Sequence, residues 1–313
     1  MPREPLESSI VERLSVRFLA LALVAFLAAG CTPSRFTSPF LVAIPQASAL
    51  AGSSASVTAT CRPGEVRVGG GFFVSPDNRN KGLVVRGTYP VDPNGWTLEV
   101  ENTSTVNSDN STIMAVAYCA QRSDLALAAS VKVVGLPVAL GSNTPKTFID
   151  APCLTPSVLT GGGYRVDGPL DYNDATFNAG IQESAPDLSS WHVEAGQWLH
   201  AASTRLVQSF AVCTTGLPMP SPVTGSTTPV PGVLTSTDAI CGPAQYATAG
   251  GFRLNGPAHG NPDGSSTAFT GRAFQSVAVE EFIKWRVDTN TVAASSRGGI
   301  PPVMAVALCA SIP

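Results

Sequence analysis

Three residue sets in this chain have types and spacings that invite chemistry: the cysteines, one His/Glu cluster and three runs of Asp and Asn. Behind Cys31, six cysteines follow at 61, 119, 153, 213, 241 and 309. Thiolates at such sites bind metals or form disulfides. A structural metal site wants short Cys-x-x-Cys or Cys/His spacing, and here no two cysteines stand that close and the chain holds only 3 His. Trp191-His192-Val193-Glu194, followed by His200, offers two imidazoles and a carboxylate. In a strand His192 and Glu194 share one face. Their counterparts elsewhere include Thr97 and Arg286, which marks a solvated face, so no metal and no cofactor is expected. The third set comprises Asp77 and Asn78, then Asp171, Asn173 and Asp174, then Asn261 and Asp263. Such loops coordinate Ca²⁺ or hydrogen-bond sugar hydroxyls. The EF-hand form fails, because counting from Asp171 puts Thr176 at the glycine position and Gln182 at the bidentate Glu. Turn chemistry accounts for the same composition, and both readings stay open. No nucleophile elbow, phosphate loop, zincin helix or Ser-x-x-Lys pair occurs. No carboxylate is read at a common place in the three loops or elsewhere in the repeats, so no catalytic residue is assigned and no enzyme is expected.

What must position these residues is a threefold internal repeat. Eight residues after Cys61, Cys153 and Cys241 come Gly69-Gly70-Gly71-Phe72, Gly161-Gly162-Gly163-Tyr164 and Ala249-Gly250-Gly251-Phe252. Trp96, Trp191 and Trp285 follow, each with an aliphatic residue two positions on. The units close on Ala117-Tyr118-Cys119, Ala211-Val212-Cys213 and Ala307-Leu308-Cys309. Six cysteines allow fifteen pairings. The repeat symmetry favours Cys61–Cys119, Cys153–Cys213 and Cys241–Cys309. Closing a loop of roughly 60 residues contributes about 4 kcal/mol by chain entropy.

Each unit reads as strands. Glu65-Val66-Arg67-Val68 and Trp96-Thr97-Leu98-Glu99-Val100-Glu101 alternate polar and apolar with period two. The alternation turns the shared tryptophans inward to a core, whereas Trp198 has no counterpart and is the candidate for an exposed aromatic. Glycine runs inside a strand mark a bulge or a close backbone approach. Pro218–Pro222 and Ser226–Pro229 read as Pro-stiffened linkers. Charged residues are only 13% of the 313, with 29 Gly and 26 Pro, a mix that suits short strands and turns better than exposed helices. The fold class is therefore all-β: three tandem disulfide-stapled β-sandwich-like repeats over 39–121, 122–215 and 216–313. The alternative is a pseudo-threefold β-prism. A net charge of -3 without a basic block excludes the usual footprint for nucleic acid.

The first thirty residues read as an address. Arg13 and Arg17 precede an uncharged apolar run from Phe18 to Ala29, too short to span a bilayer and fitting a signal peptide. Leu27-Ala28-Ala29-Gly30-Cys31 resembles a bacterial lipobox, with its Leu one position further out than in the commonest form and with Glu4, Glu7 and Glu12 in the leader. That resemblance implies a signal peptide over 1–30, lipidation (palmitate) of Cys31 and a tether over 31–38. It implies a membrane partner through the N-terminal lipid and a place in the cell envelope, at the outer membrane or the surface.

The Cys…Gly-Gly-Gly-Phe…Trp…Ala-x-Cys pattern resembles modules of uncharacterised secreted bacterial proteins and lipoproteins, and more loosely the three-repeat β-prism proteins. It implies a surface or secreted β module. The expectation is a non-catalytic cell-envelope surface lipoprotein with a binding or structural role, its partner a glycan or a surface protein. The alternative is a glycan-acting hydrolase using carboxylates of the repeat loops.

Overall fold

The computed structural model describes residues 40–75, 83–102, 104, 110–121, 130–140, 147–167, 178–198, 205–230, 233–254, 270–279, 283–292 and 302–311. Every element among them is a strand. The first repeat holds β1 (Phe40–Ala43), β2 (Gln46–Ala49), β3 (Ser53–Thr60), β4 (Glu65–Ser75), β5 (Leu83–Val91), β6 (Gly95–Asn102) and β7 (Ser111–Gln121). The second holds β8 (Ser130–Val134), β9 (Val138–Leu140), β10 (Thr147–Pro152), β11 (Val158–Asp167), β12 (Asn178–Asp187), β13 (Ser190–Trp198) and β14 (Arg205–Thr214). The third holds β15 (Ser221–Thr227), β16 (Leu234–Ile240), β17 (Gln245–Leu254), β18 (Thr270–Val279), β19 (Lys284–Val292) and β20 (Val303–Ser311).

The protein is all-β, and strand order shows how the three repeats share their sheets. Sheet I runs β1-β7-β4-β18-β19-β16, sheet II runs β3-β6-β5-β11-β14-β8, and sheet III runs β10-β13-β12-β17-β20-β15. β2 also pairs with β7, and β9 with β14. Each sheet thus takes three or four strands from each of two repeats, in a closed cycle of three. Residues 38–313 form one compact unit in which the three repeats share their sheets. The physical reason lies at the joins. A self-contained sandwich leaves the edges of β4 and β5 unpaired, and an open edge is costly. Here β4 pairs with β18, β11 with β5 and β17 with β12.

The glycine triplets make those joins, each glycine with a different task. A bulge precedes the triplet in β4, β11 and β17. The first position lies where the three repeats meet: a Cβ on Gly161 would stand 3.0 Å from the Gly69 Cα and 3.2 Å from the Ala249 Cβ. At the second position Gly70, Gly162 and Gly250 lie against the rings of Trp96, Trp191 and Trp285. At the third, Gly71, Gly163 and Gly251 face the carbonyls of Ser276, Thr88 and Ser184 on the neighbouring repeat. Any side chain there pushes the sheets apart.

All three tryptophans are buried, at 1%, 1% and 0% exposure. Each Nε1–H donates to a hydroxyl of its own repeat: Trp96 to Thr88 at 2.8 Å, Trp191 to Ser184 at 3.0 Å and Trp285 to Ser276 at 2.9 Å. These are the residues whose carbonyls meet the third glycines. Ring, hydroxyl and glycine therefore form one interlock, repeated three times around an axial cavity of only about 10 Å³, at most the room of one water.

The disulfides are Cys61–Cys119, Cys153–Cys213 and Cys241–Cys309, the pairing that repeat symmetry favours. Each joins the residue after a strand of one sheet (β3, β10, β16) to a strand of the next (β7, β14, β20). The cross-links therefore staple sheet to sheet. The Pro-rich linker reading needs correction: Ser221–Thr227 is β15, paired along its length with β20. Pro222 is tolerated because β15 is an edge strand whose outer N–H groups need no ladder partner.

Candidate functional site

Strand register shows which side chains stand at equivalent places on the outer faces of the three sheets. Glu194 is opposite Phe148, Glu99 opposite Ser56, and Asp288 opposite Ser236. A carboxylate therefore does occupy one common position, three residues after each shared tryptophan. This corrects the sequence reading, which found no carboxylate at a common place in the three repeats. The pattern Trp-x-aliphatic-acid was legible in the sequence.

The three acids have different surroundings. In sheet II, Glu99 accepts the Tyr89 hydroxyl at 2.7 Å and pairs with Arg165 of the next repeat at 3.1 Å. Arg165 also lies over the Tyr89 ring, 5.6 Å from its centroid, and bridges to Asp167 at 3.2 Å. Burial, then the bond to Glu99, pushes the Tyr89 hydroxyl far above its ordinary pKa. In sheet I the neighbouring carboxyl, Asp238, receives Arg286 through two nitrogens at 2.8 and 2.9 Å, and Lys284 at 3.1 Å. The Arg286 hydrogen bonds hold that carboxyl below the usual carboxylate range against the opposing effect of burial.

Sheet III differs most. Phe148, Glu194, Glu183, Arg253 and Met304 stand in register across five adjacent strands. Arg253 pairs with Glu183 at 2.6 Å, yet burial still raises the Glu183 pKa, with Arg253 pulling it back. One step along, His192 and Asp150 share a 2.8 Å contact, and the imidazole stacks on Phe148 at 5.5 Å between centroids. His192 and Glu194 do share a face, as expected. Glu194, however, is 9% exposed, so the face is less solvated there than its sequence counterparts suggested.

Beside this row, at the corner where β8 and β9 meet β10, lies an apolar groove of about 510 Å³. Val134, Leu136, Val138, Phe148 and Leu154 supply its walls and Asp150 stands at its rim. That volume falls in the range of ligand pockets, about 300–1,000 Å³. Leu136, Leu154 and Phe148 are 84%, 77% and 57% exposed. The sequence reading missed this site. Its signal was the residue five before the first cysteine of each unit, which is Phe148 in the second repeat and Ser56 and Ser236 in the others.

The loop residues Asp77, Asn78, Asp171, Asn173, Asp174, Asn261 and Asp263 lie outside the described residues, as do His200, Cys31 and the side chain of Trp198. Among the described residues, the one metal-like grouping is Cys61, Glu65 and Cys119, and its two sulfurs are bonded to each other. Glu65 instead accepts the backbone N–H of Arg62 at 2.8 Å. Among the described residues no helix is long and apolar enough to cross a membrane. No family model matches the chain, and no curated protein matches it either.

Proposed function

We propose that this protein is an exported, lipid-anchored, non-catalytic component of the cell-envelope surface with a binding or structural role. The cysteine account supports that reading. All six cysteines behind Cys31 are consumed in buried disulfides, and such bonds persist in oxidising compartments. Cys31 is left as the odd thiol, placed directly behind an apolar leader where a lipobox puts its acylated residue. Two or three acyl chains, at about 0.8 kcal/mol per buried methylene, suffice to anchor a protein without a spanning helix. The compact β unit then stands at the membrane surface, and the exposed groove of its second repeat is a surface built to bind.

Intact-mass measurement of protein extracted from membranes tests the anchor. The expected product begins at Cys31 with diacylglycerol on its sulfur and Thr32 next. An unmodified Cys31, or cleavage elsewhere, overturns it. Release of sugars from an envelope polysaccharide by the purified chain overturns the non-catalytic part of the reading.

A further inference from the structure

We infer that the end of the molecule ringed by the three disulfides is its membrane face. It lies on the bilayer that holds the Cys31 lipid, with Leu188, Met219, Ile240 and Ile283 at the boundary of headgroups and acyl chains. The inference deepens the lipid-anchored reading and rests on it. The first ground is register. In sheet II Thr60 pairs with Gly95 and Gly95 with Val91, and the end of β5 lies beside the start of β11, where Leu159 pairs with Cys213. Sheet III brings Pro152, Ser190 and Asp187 to the start of β17, where Ala247 pairs with Cys309. Sheet I brings Ile240, Lys284 and Val279 to the start of β4, where Arg67 pairs with Cys119. Each disulfide ties such an end of one sheet to the same end of the next, so all three bridges lie together.

The second ground is the tether. The chain enters the compact unit at this end, where Phe40 pairs with Ala120 and Leu41 with Cys119. The nine residues from Thr32 to Phe40 reach about 30 Å, at ~3.3–3.6 Å each. β4 alone, 11 residues long, spans about 35 Å. A lipid on Cys31 is therefore on too short a lead to seat the opposite end on the bilayer. The outer faces of the sheets carry the ion pairs Glu99–Arg165, Glu183–Arg253 and Asp238–Arg286, whose desolvation opposes burial in lipid.

The third ground is what the disulfide end presents. Leu188, Met219, Ile240 and Ile283 are 78%, 70%, 63% and 45% exposed. The Cys241 N–H donates to the Ile283 carbonyl at 2.9 Å, and the Cys153 N–H to the carbonyl of Ser189, next to Leu188, at 2.8 Å. Met219 lies between the end of β14 and the start of β15, where Ser221 pairs with Cys309. The first repeat has Thr60 in the place of Ile240. It has Asn94, whose carbonyl receives the Cys61 N–H, in the place of Ile283. The fold thus accepts polar residues at both places, and a set of exposed apolar side chains marks an interaction surface. Its hold on a bilayer grows with the apolar area buried. With this end down, Ser75, Asp167 and Leu254, the strand ends that lead into the three Asp/Asn runs, face away from the membrane.

The test supplies its own anchor, so it stands whether or not Cys31 is acylated in the cell. Residues 31–313 are coupled through the Cys31 thiol, the cysteine outside the three bridges, to a maleimide phospholipid. The vesicles are phosphatidylcholine and phosphatidylglycerol with a phospholipid carrying a diazirine in its acyl chain. After irradiation, peptide mapping is expected to find label on peptides holding Leu188, Met219, Ile240 and Ile283 at least tenfold above those holding Glu99 or Arg165. I240T/I283N, which installs the residues of the first repeat, should lower labelling of the third repeat at least threefold with the melting temperature unchanged. Leu188→Asn, at a φ of 48° that Asn tolerates, should do the same for the second. The proposal is overturned if those peptides carry no label, if the outer-face peptides are labelled equally, or if both variants label like the parent. It is also overturned if the uncoupled chain sediments as a dimer that I240T/I283N returns to monomer, since the face then covers a second copy. If a variant is destabilised, the map of the parent chain decides by itself. An even map ends this inference and leaves the mass measurement at Cys31 untouched, and an unmodified Cys31 ends the lipid-anchored reading without altering the map.

Discussion

Replacing Gly70 by Ala is expected to cost about 2–6 kcal/mol, a large share of the ~5–15 kcal/mol that holds a domain together. The three atoms nearest a Cβ built there all belong to the Trp96 indole, with Cε3 and Cγ at 2.5 Å. Carbon atoms rest at about 3.5–4.0 Å, so the ring must move by roughly an ångström. Trp96 is 1% exposed, and the cavity it lines holds only about 10 Å³. Overpacking of this kind costs about 1–3 kcal/mol. The displaced Nε1–H also leaves Thr88 Oγ1, now 2.8 Å away, and a buried donor without a partner costs about 1–3 kcal/mol. Urea denaturation followed by far-UV circular dichroism measures the loss, and the decisive form is a double-mutant cycle. Trp96→Leu removes the obstacle, so Gly70→Ala in that background should cost less than about 1 kcal/mol, a strongly non-additive pair. Gly71→Ala strikes the Ser276 carbonyl of another repeat, and Trp96→Leu should rescue it far less. If Gly70→Ala is tolerated, or adds independently to Trp96→Leu, the interlock of ring and glycine is refuted.

Other expectations follow from the same structure. Arg67, fully buried opposite Cys119, donates to the carbonyls of Val91 at 2.6 Å and Gly95 at 2.7 Å, and burial lowers its pKa to about 10 against the pull of Asp92. Leu159 stands opposite Cys213 in the same way, so Arg67→Leu should fit, yet cost about 2–3 kcal/mol by denaturant titration through two orphaned carbonyls. Asp238, its pKa depressed chiefly by hydrogen bonds from Arg286, contributes stability that is full above its unfolded pKa of about 3.9 and is lost as pH falls through the lower folded value. Asp238→Asn should therefore flatten the acid limb of a stability–pH curve below about pH 4, and an unchanged limb argues against the pairing. Cys153→Ala with Cys213→Ala should lower stability by about 2–5 kcal/mol, and non-reducing peptide mapping of the parent chain should find no bridge between repeats.

The chain by itself pointed to most of its strands, favoured its cysteine pairs and turned its shared tryptophans inward, because these follow from local periodicity and from a pattern repeated three times. Alternation at Trp96–Glu101 needs only the two faces of a strand, and Cys61–Cys119 needs only the symmetry of the units. A common acid after each tryptophan was equally local, at Glu99, Glu194 and Asp288, and the sequence reading overlooked it. Tertiary structure alone decided the rest. Whether Gly71 meets its own repeat or the Ser276 carbonyl of another is a contact across some two hundred residues, and no period in the sequence encodes it. The sharing of sheets follows from that contact, since only a strand thin enough at its third glycine admits a neighbour's edge. The row from Phe148 to Arg253 is likewise a matter of register between β10, β13, β12 and β17, three of which belong to one repeat and one to the next. Residues far apart in the chain become one surface only when three incomplete units complete each other.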